Sequence, residues 1–232
     1  MQPTLDLLNI SYKTNGKAIL EDINLSFGTG IHALLGLNGA GKTSLFNIIA
    51  TLQKPTSGEM LYKDSSIIKN PKSLRKDLGY MSQNVGLIQD FSIEQNLYYF
   101  GLMKGCLPKD LKQKIPNLLE TLNLQREKGR KVFNLSGGMK QRIGIALALL
   151  NNPEVLLLDE PINNLDDFER EKFYHFLQEI AQNSIVIIST HLVNEISNFC
   201  DKIIVMKNGR VGFCGTANTT DEVQEIFKQH TR

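Results

Sequence analysis

At 232 residues, 41% of them hydrophobic, the chain is long enough to bury one large core or two small ones, against a usual ~150 residues per domain. Its 26 Lys and Arg stand against 24 Asp and Glu, and a net charge of +2 makes no field that would draw the chain to nucleic acid or anionic lipid. The longest apolar runs, such as Ile143–Leu150 and Val155–Leu158, fall far short of the ~18 residues needed to cross a bilayer.

The opening Met-Gln-Pro-Thr-Leu-Asp has neither the basic stretch nor the apolar core of a secretory signal. Cys106, Cys200 and Cys214 have neither disulfide nor zinc spacing and read as packing residues. Both features predict a cytoplasmic protein.

Leu5–Tyr12 and Ile19–Phe27 read as strands joined by the polar Lys13–Gly16 turn, an antiparallel hairpin. A short apolar strand, Ile31–Leu35, comes next and runs into Gly36-Leu37-Asn38-Gly39-Ala40-Gly41-Lys42-Thr43, which fits G-x-x-x-x-G-K-[ST] and opens a helix over Lys42–Ala50. In such a loop the glycines let backbone N–H groups converge on one anion, and the positive helix end points at the same place. Lys42 is placed to bridge β- and γ-phosphates, and the Thr43 hydroxyl to ligate Mg²⁺, so the loop predicts a nucleoside triphosphate site.

Leu78–Met81 is a further buried strand, and from Asp90 to Lys131 the chain turns helical, near Ile93–Gly101 and Pro108–Leu122, with no clear strand. That stretch reads as an inserted helical subdomain, about residues 90–131, within a single unit whose remaining parts are about 1–89 and 132–232. Leu135-Ser136-Gly137-Gly138-Met-Lys-Gln-Arg142 follows, at the start of a helix over Gly138–Leu150. Its hydroxyl, glycines and helix end make a second anion-binding motif, although one loop already cradles one triphosphate. Two copies meeting head to tail would let each Ser136 loop cap the γ-phosphate held by the other.

Val155–Leu158 is a strand that ends in Asp159-Glu160. Beside a phosphate loop, the first acid is expected in the Mg²⁺ shell, and the second is free to orient or deprotonate the attacking water. Ile185–Ser189 is another buried strand, with His191 just past its carboxyl end, where α/β sheets bind ligands. A hairpin over Lys202–Gly215 around Asn208-Gly209 and a helix over about Asp221–Lys228 complete the chain. Apolar strands alternating with helices predict an α/β fold with a mostly parallel sheet.

Taken in order, these motifs resemble the nucleotide-binding subunits of ATP-binding cassette proteins over nearly the whole chain. The resemblance implies a P-loop NTPase core with an N-terminal antiparallel β-subdomain and an inserted α-helical subdomain. It makes Gly36–Thr43, continued by Ser44, the Walker A motif, and Tyr12 the aromatic that stacks on adenine. Gln83 is similar to the Q-loop residue that contacts Mg²⁺ and water. Leu135–Arg142 resembles the family signature, Asp159 and Glu160 the Walker B acids, Asn164-Leu-Asp166 the D-loop, and His191 the switch histidine. Thr43-Ser44 stands where Ser-Thr or Thr-Thr is usual, keeping a hydroxyl at the Mg²⁺ position, while Ile162 and Asn164 depart from the commonest residues near the D-loop.

The implied protein is an ATPase that uses ATP and Mg²⁺, closes as a homodimer or with a paralogous cassette, and lies on the cytoplasmic face of the cell membrane. Residues Gly79–Lys104 resemble cassettes of bacterial exporters whose permease is a separate chain. The alternative is a soluble cassette ATPase acting on a cytosolic assembly scaffold.

Overall fold

The computed structural model describes residues 2–161, 167–191, 199–216 and 219–231. Asn164 and Asp166, and the departures at Ile162 and Asn164, lie outside them.

The chain opens with β1 (Leu5–Thr14) and β2 (Lys17–Phe27), the antiparallel pair expected from the turn between them. β3 (Gly30–Gly36), buried along its whole length, leads into α1 (Lys42–Ile49). Sequence reading did not mark β4 (Ser57–Tyr62), β5 (Ser65–Ser66) and α2 (Lys72–Asp77), which come before β6 (Leu78–Met81). Next are α3 (Ile93–Met103), α4 (Pro108–Thr121), α5 (Gly137–Leu149), β7 (Val155–Asp159), α6 (Asp167–Ala181), β8 (Ile185–Thr190), β9 (Lys202–Lys207), β10 (Arg210–Gly215) and α7 (Thr220–Thr231).

The strands form two sheets. One has the order β2-β1-β4-β5 and is antiparallel; the other has the order β10-β9-β3-β8-β7-β6 and is parallel except for the edge strand β10. This is the mixed α/β architecture expected from the alternation of short apolar runs with helices. Alternate side chains of the parallel strands go to opposite faces. Ile31, Ala33, Leu35, Leu156, Leu158, Val186 and Ile188 pack with apolar residues of α3 to α7. Leu34, Val155, Leu157, Ile185 and Ile187 pack against α1 and the four-stranded sheet. Both faces are covered, so the strands read as unbroken apolar runs.

The ends of the helical stretch meet. Ser92 bridges Lys131, Ile93 N donates to Arg130 O at 3.2 Å, and Val132 N donates to Phe91 O at 3.0 Å. A Ser92–Gln95 capping box starts α3. Ile93, Leu97, Leu111, Ile115 and Leu119 join the same apolar cluster as the sheet, so these helices share its core. Cys106 and Cys200 pack at the edge of that cluster, whereas Cys214, expected to pack likewise, is exposed on β10.

Candidate active site

The parallel strands end along one edge of the sheet, and that edge gathers most of the groups expected to carry chemistry. β3 delivers Gly36 there, β7 delivers Asp159, and β8 delivers Ser189 and Thr190, with His191 immediately after. Asp159 and Ser189 face each other in register.

Between β3 and α1 the loop folds back on itself, with Ala40 N donating to Leu37 O at 3.1 Å. Leu37, Asn38 and Gly39 are exposed at its crest, while Ala40 and Lys42 are buried and Ser44 is half-buried. Gly41, the residue before α1, has φ +103°, and a Cβ there would lie 2.8 Å from Leu20 Cδ2, so the position excludes side chains. The loop is also held from outside. Gly209 N donates to Ala40 O at 3.0 Å, and Gly209 O accepts from Glu21 N at 2.8 Å. Gly209 itself has φ +77°, and a Cβ would meet Ile19 O at 2.2 Å. The Asn208-Gly209 turn thus bridges β2 and the phosphate loop.

Lys42 Nζ donates to Gly36 O at 2.7 Å and to Leu37 O at 3.3 Å. Burial pushes its pKa down, opposed by the negative charges of Glu160 and Asp159. A desolvated ammonium held by neutral carbonyls under a glycine-rich crest suits a polyanion that completes its charge balance. Thr43 Oγ1 donates to Asp159 Oδ2 at 3.1 Å. A hydroxyl and a carboxylate this close supply the hard oxygen donors that Mg²⁺ takes alongside phosphate and water.

Asp159 is buried, and its other carboxylate oxygen accepts a hydrogen bond from Ser189 Oγ. Glu160 N donates to the same hydroxyl at 3.0 Å and to Ser189 O at 3.2 Å. Glu160 Oε1 lies 3.6 Å from His191 Nδ1, with the histidine half exposed and the glutamate mostly enclosed. Tyr80, on β6, donates to Asn47 Oδ1 at 3.3 Å; burial first and then the Asp159 charge push its pKa up to about 12.

Among the described residues no hydrogen bond or ion pair joins Ser136, Tyr12 or Gln83 to the phosphate loop. Ser136 and Gly137 are exposed and Gly138 half-buried, and the Ser136 hydroxyl caps α5 by accepting from Met139 N at 3.3 Å. Tyr12 is half-buried on β1 at the edge of the second apolar cluster. Gln83 is exposed on the loop after β6.

Two residues of this site escaped the sequence reading. In the sequence Ser189 is legible only as the end of a strand, and Gln141, whose Nε2 donates to Glu160 O at 2.6 Å, only as part of the signature run. Hydroxyls closing a buried apolar strand beside a histidine, as in Ile187-Ile-Ser-Thr-His191, were the available signal for the first.

A family model described as ABC transporter matches residues 20–163. Over 212 residues the chain is 32% identical to ATP-binding cassette sub-family A member 17 of Rattus norvegicus, covering 90% of this chain and 12% of that protein. Over 208 residues it is 31% identical to Nod factor export ATP-binding protein I of Rhizobium sp. (strain N33), covering 89% of this chain and 68% of that one. The chain is thus a small part of the first relative's length and about two thirds of the second's. A solved ATP-binding cassette, dimeric and bound to ADP and Pi, superposes with a TM-score of 0.83 at 28% identity, covering 91% of this chain and 98% of that one.

Proposed function

Since the chain belongs to the ABC transporter family, we propose that it is an ATP-hydrolysing cassette that drives a separate transmembrane permease, as part of an exporter. The observation that carries the reading is the convergence of Lys42, Thr43, Asp159 and Glu160 at the carboxyl edge of the parallel sheet, with Thr43 and Asp159 in direct contact.

In this reading the N–H groups of residues 36–44 hold the β- and γ-phosphates, Lys42 exchanges its carbonyl partners for phosphate oxygens, and Tyr12 stacks on adenine. Bound Mg²⁺ supplies positive charge to the phosphate oxygens, with Thr43, Asp159 and Gln83 as the residues that hold it. Glu160 takes the proton of the attacking water, and His191 steadies the Glu160 carboxylate toward the γ-phosphate.

Ser136 caps its own helix, and its exposed position leaves the loop open to nucleotide held by a second copy. Two copies head to tail would place each Ser136, Gly137 and Gly138 against the other's γ-phosphate. The dimeric cassette holding ADP and Pi, of similar fold, supports that arrangement. Closure on ATP and opening after hydrolysis would be passed to the permease through the helical segment of residues 90–131. No helix among the described residues is long and apolar enough to cross a membrane; in this reading the permease is a separate chain and this one sits on its cytoplasmic side. The Rhizobium relative named for Nod factor export supports the exporter direction.

The test is a tagged Glu160→Gln chain with ATP and Mg²⁺, recovered from native membranes in mild detergent and analysed by mass spectrometry. Stoichiometric recovery of a multi-span protein supports the permease. Recovery of soluble proteins alone replaces it with the scaffold ATPase.

A further inference from the structure

Glu160 has φ +52°, in the left-handed region. Most other non-glycine residues there are Asn or Asp, whose short side chains bond locally. A glutamate in this conformation is strained and persists only where its surroundings hold it. Three hydrogen bonds do so. Ser189 O and Oγ accept from Glu160 N at 3.2 and 3.0 Å, and Gln141 Nε2 donates to Glu160 O at 2.6 Å. The peptide is therefore gripped from β8 on one side and from α5 on the other. Ser189 also donates to Asp159, so one hydroxyl ties both acids to the sheet.

We propose that Gln141 is a positioning residue for hydrolysis: its side-chain amide holds the Glu160 peptide in its left-handed conformation and makes the direction of the carboxylate depend on α5. The proposal rests on Glu160 serving as the group that activates water. Gln141 and Ser136 lie within two turns of the same helix, Ser136 as its cap. A shift of α5 when the Ser136 loop meets nucleotide on a second copy is felt at the Glu160 carbonyl of the same chain. Hydrolysis in each site then responds to whether that chain's own Ser136 loop is engaged, a link that a freely rotating glutamate would lack.

The test compares wild type with Gln141→Met, which keeps length but removes the donor, and Gln141→Glu, which keeps shape but presents an acceptor to the carbonyl. ATP affinity is measured by equilibrium titration, hydrolysis by phosphate release, and folding by thermal melts. The expected result is a kcat lower by about 10- to 100-fold, the range for a misplaced catalytic group, with KM and ATP affinity within about 2-fold of wild type. In a Glu160→Gln background, Gln141→Met should add less than about 2-fold, because residues acting as a unit are non-additive. Should the Met variant not fold, the isosteric Glu variant carries the same comparison. Wild-type kcat in a folded donor-less variant, or an equal loss in both backgrounds, overturns the role of Gln141. A wild-type chain that binds ATP without hydrolysing it overturns the hydrolytic reading instead.

Discussion

Thr43 and Asp159 stand 116 positions apart in the chain and meet through a 3.1 Å hydrogen bond. The pair joins the first turn of α1 to the end of β7, two elements brought side by side only by the sheet. Thr43→Val keeps the shape and removes the hydroxyl, and the Mg²⁺ concentration for half-maximal hydrolysis should rise on the order of tenfold. A magnesium titration at fixed ATP measures it, and an unchanged midpoint would remove Thr43 from the metal shell.

Lys42 separates affinity from stability. Its ammonium is buried, and desolvation pushes its pKa down. Lys42→Ala should weaken ATP binding by ~100-fold or more, because it strips the charged partner from a desolvated site. The same change relieves a buried cation, so the melting temperature without nucleotide should hold or rise. Titration with ATP and a nucleotide-free melt give the two numbers, and normal affinity would contradict the phosphate-loop assignment.

Glu160→Gln should leave ATP affinity intact while slowing hydrolysis by at least ~100-fold, the scale of a lost general base. With turnover blocked, ATP should accumulate a dimer on size-exclusion chromatography. Turnover at the wild-type rate would place proton transfer elsewhere.

His32 gives the fold a calculable response to acid. Its Nε2 lies 2.8 Å from the Gly28 carbonyl, which only accepts, so Nε2 bears the proton and the buried Nδ1 is left without a partner. Burial holds the pKa below the free value of 6.5, with Lys202 acting in the same direction and the Gly28 carbonyl and Asp201 against it. Below 6.5 the unfolded chain takes up a proton that the folded chain refuses, so this contribution to stability is complete above that pH and is lost on acidification toward the depressed folded value. The urea midpoint should drop between about pH 7.5 and about pH 5.5, and His32→Gln should shrink the drop. An identical drop in the variant would assign it to other groups.

Legibility in the sequence followed locality. The phosphate loop, the capped start of α5 and the strand ending in Asp159-Glu160 are set within a few consecutive residues, and the residue types there have few other uses. β4 is not legible because Ser57-Gly-Glu-Met-Leu-Tyr62 begins with residues that disfavour strands and is paired along most of its length with β1, about fifty positions earlier in the chain. Gln141 and Ser189 were missed for the same physical reason. Their roles consist of contacts with Glu160 made across a helix and a neighbouring strand, and neither residue type announces such a contact by itself. Tyr12, singled out by resemblance, sits half-buried on β1 at the edge of the second apolar cluster.

The neighbours of β3 in the sheet are β8 and β9, and the turn that pins Ala40 is at Gly209. On the ribosome, the glycine-rich loop is made before β7, β8, β9 and the Gly209 turn, and its native surroundings are complete only when these have followed. Until β8 is made, β3, seven residues long and buried throughout in the finished protein, has no native strand to pair with. The complete cradle therefore exists only once β8, β9 and the Gly209 turn are joined to β3, and nucleotide held there stabilises that joined sheet.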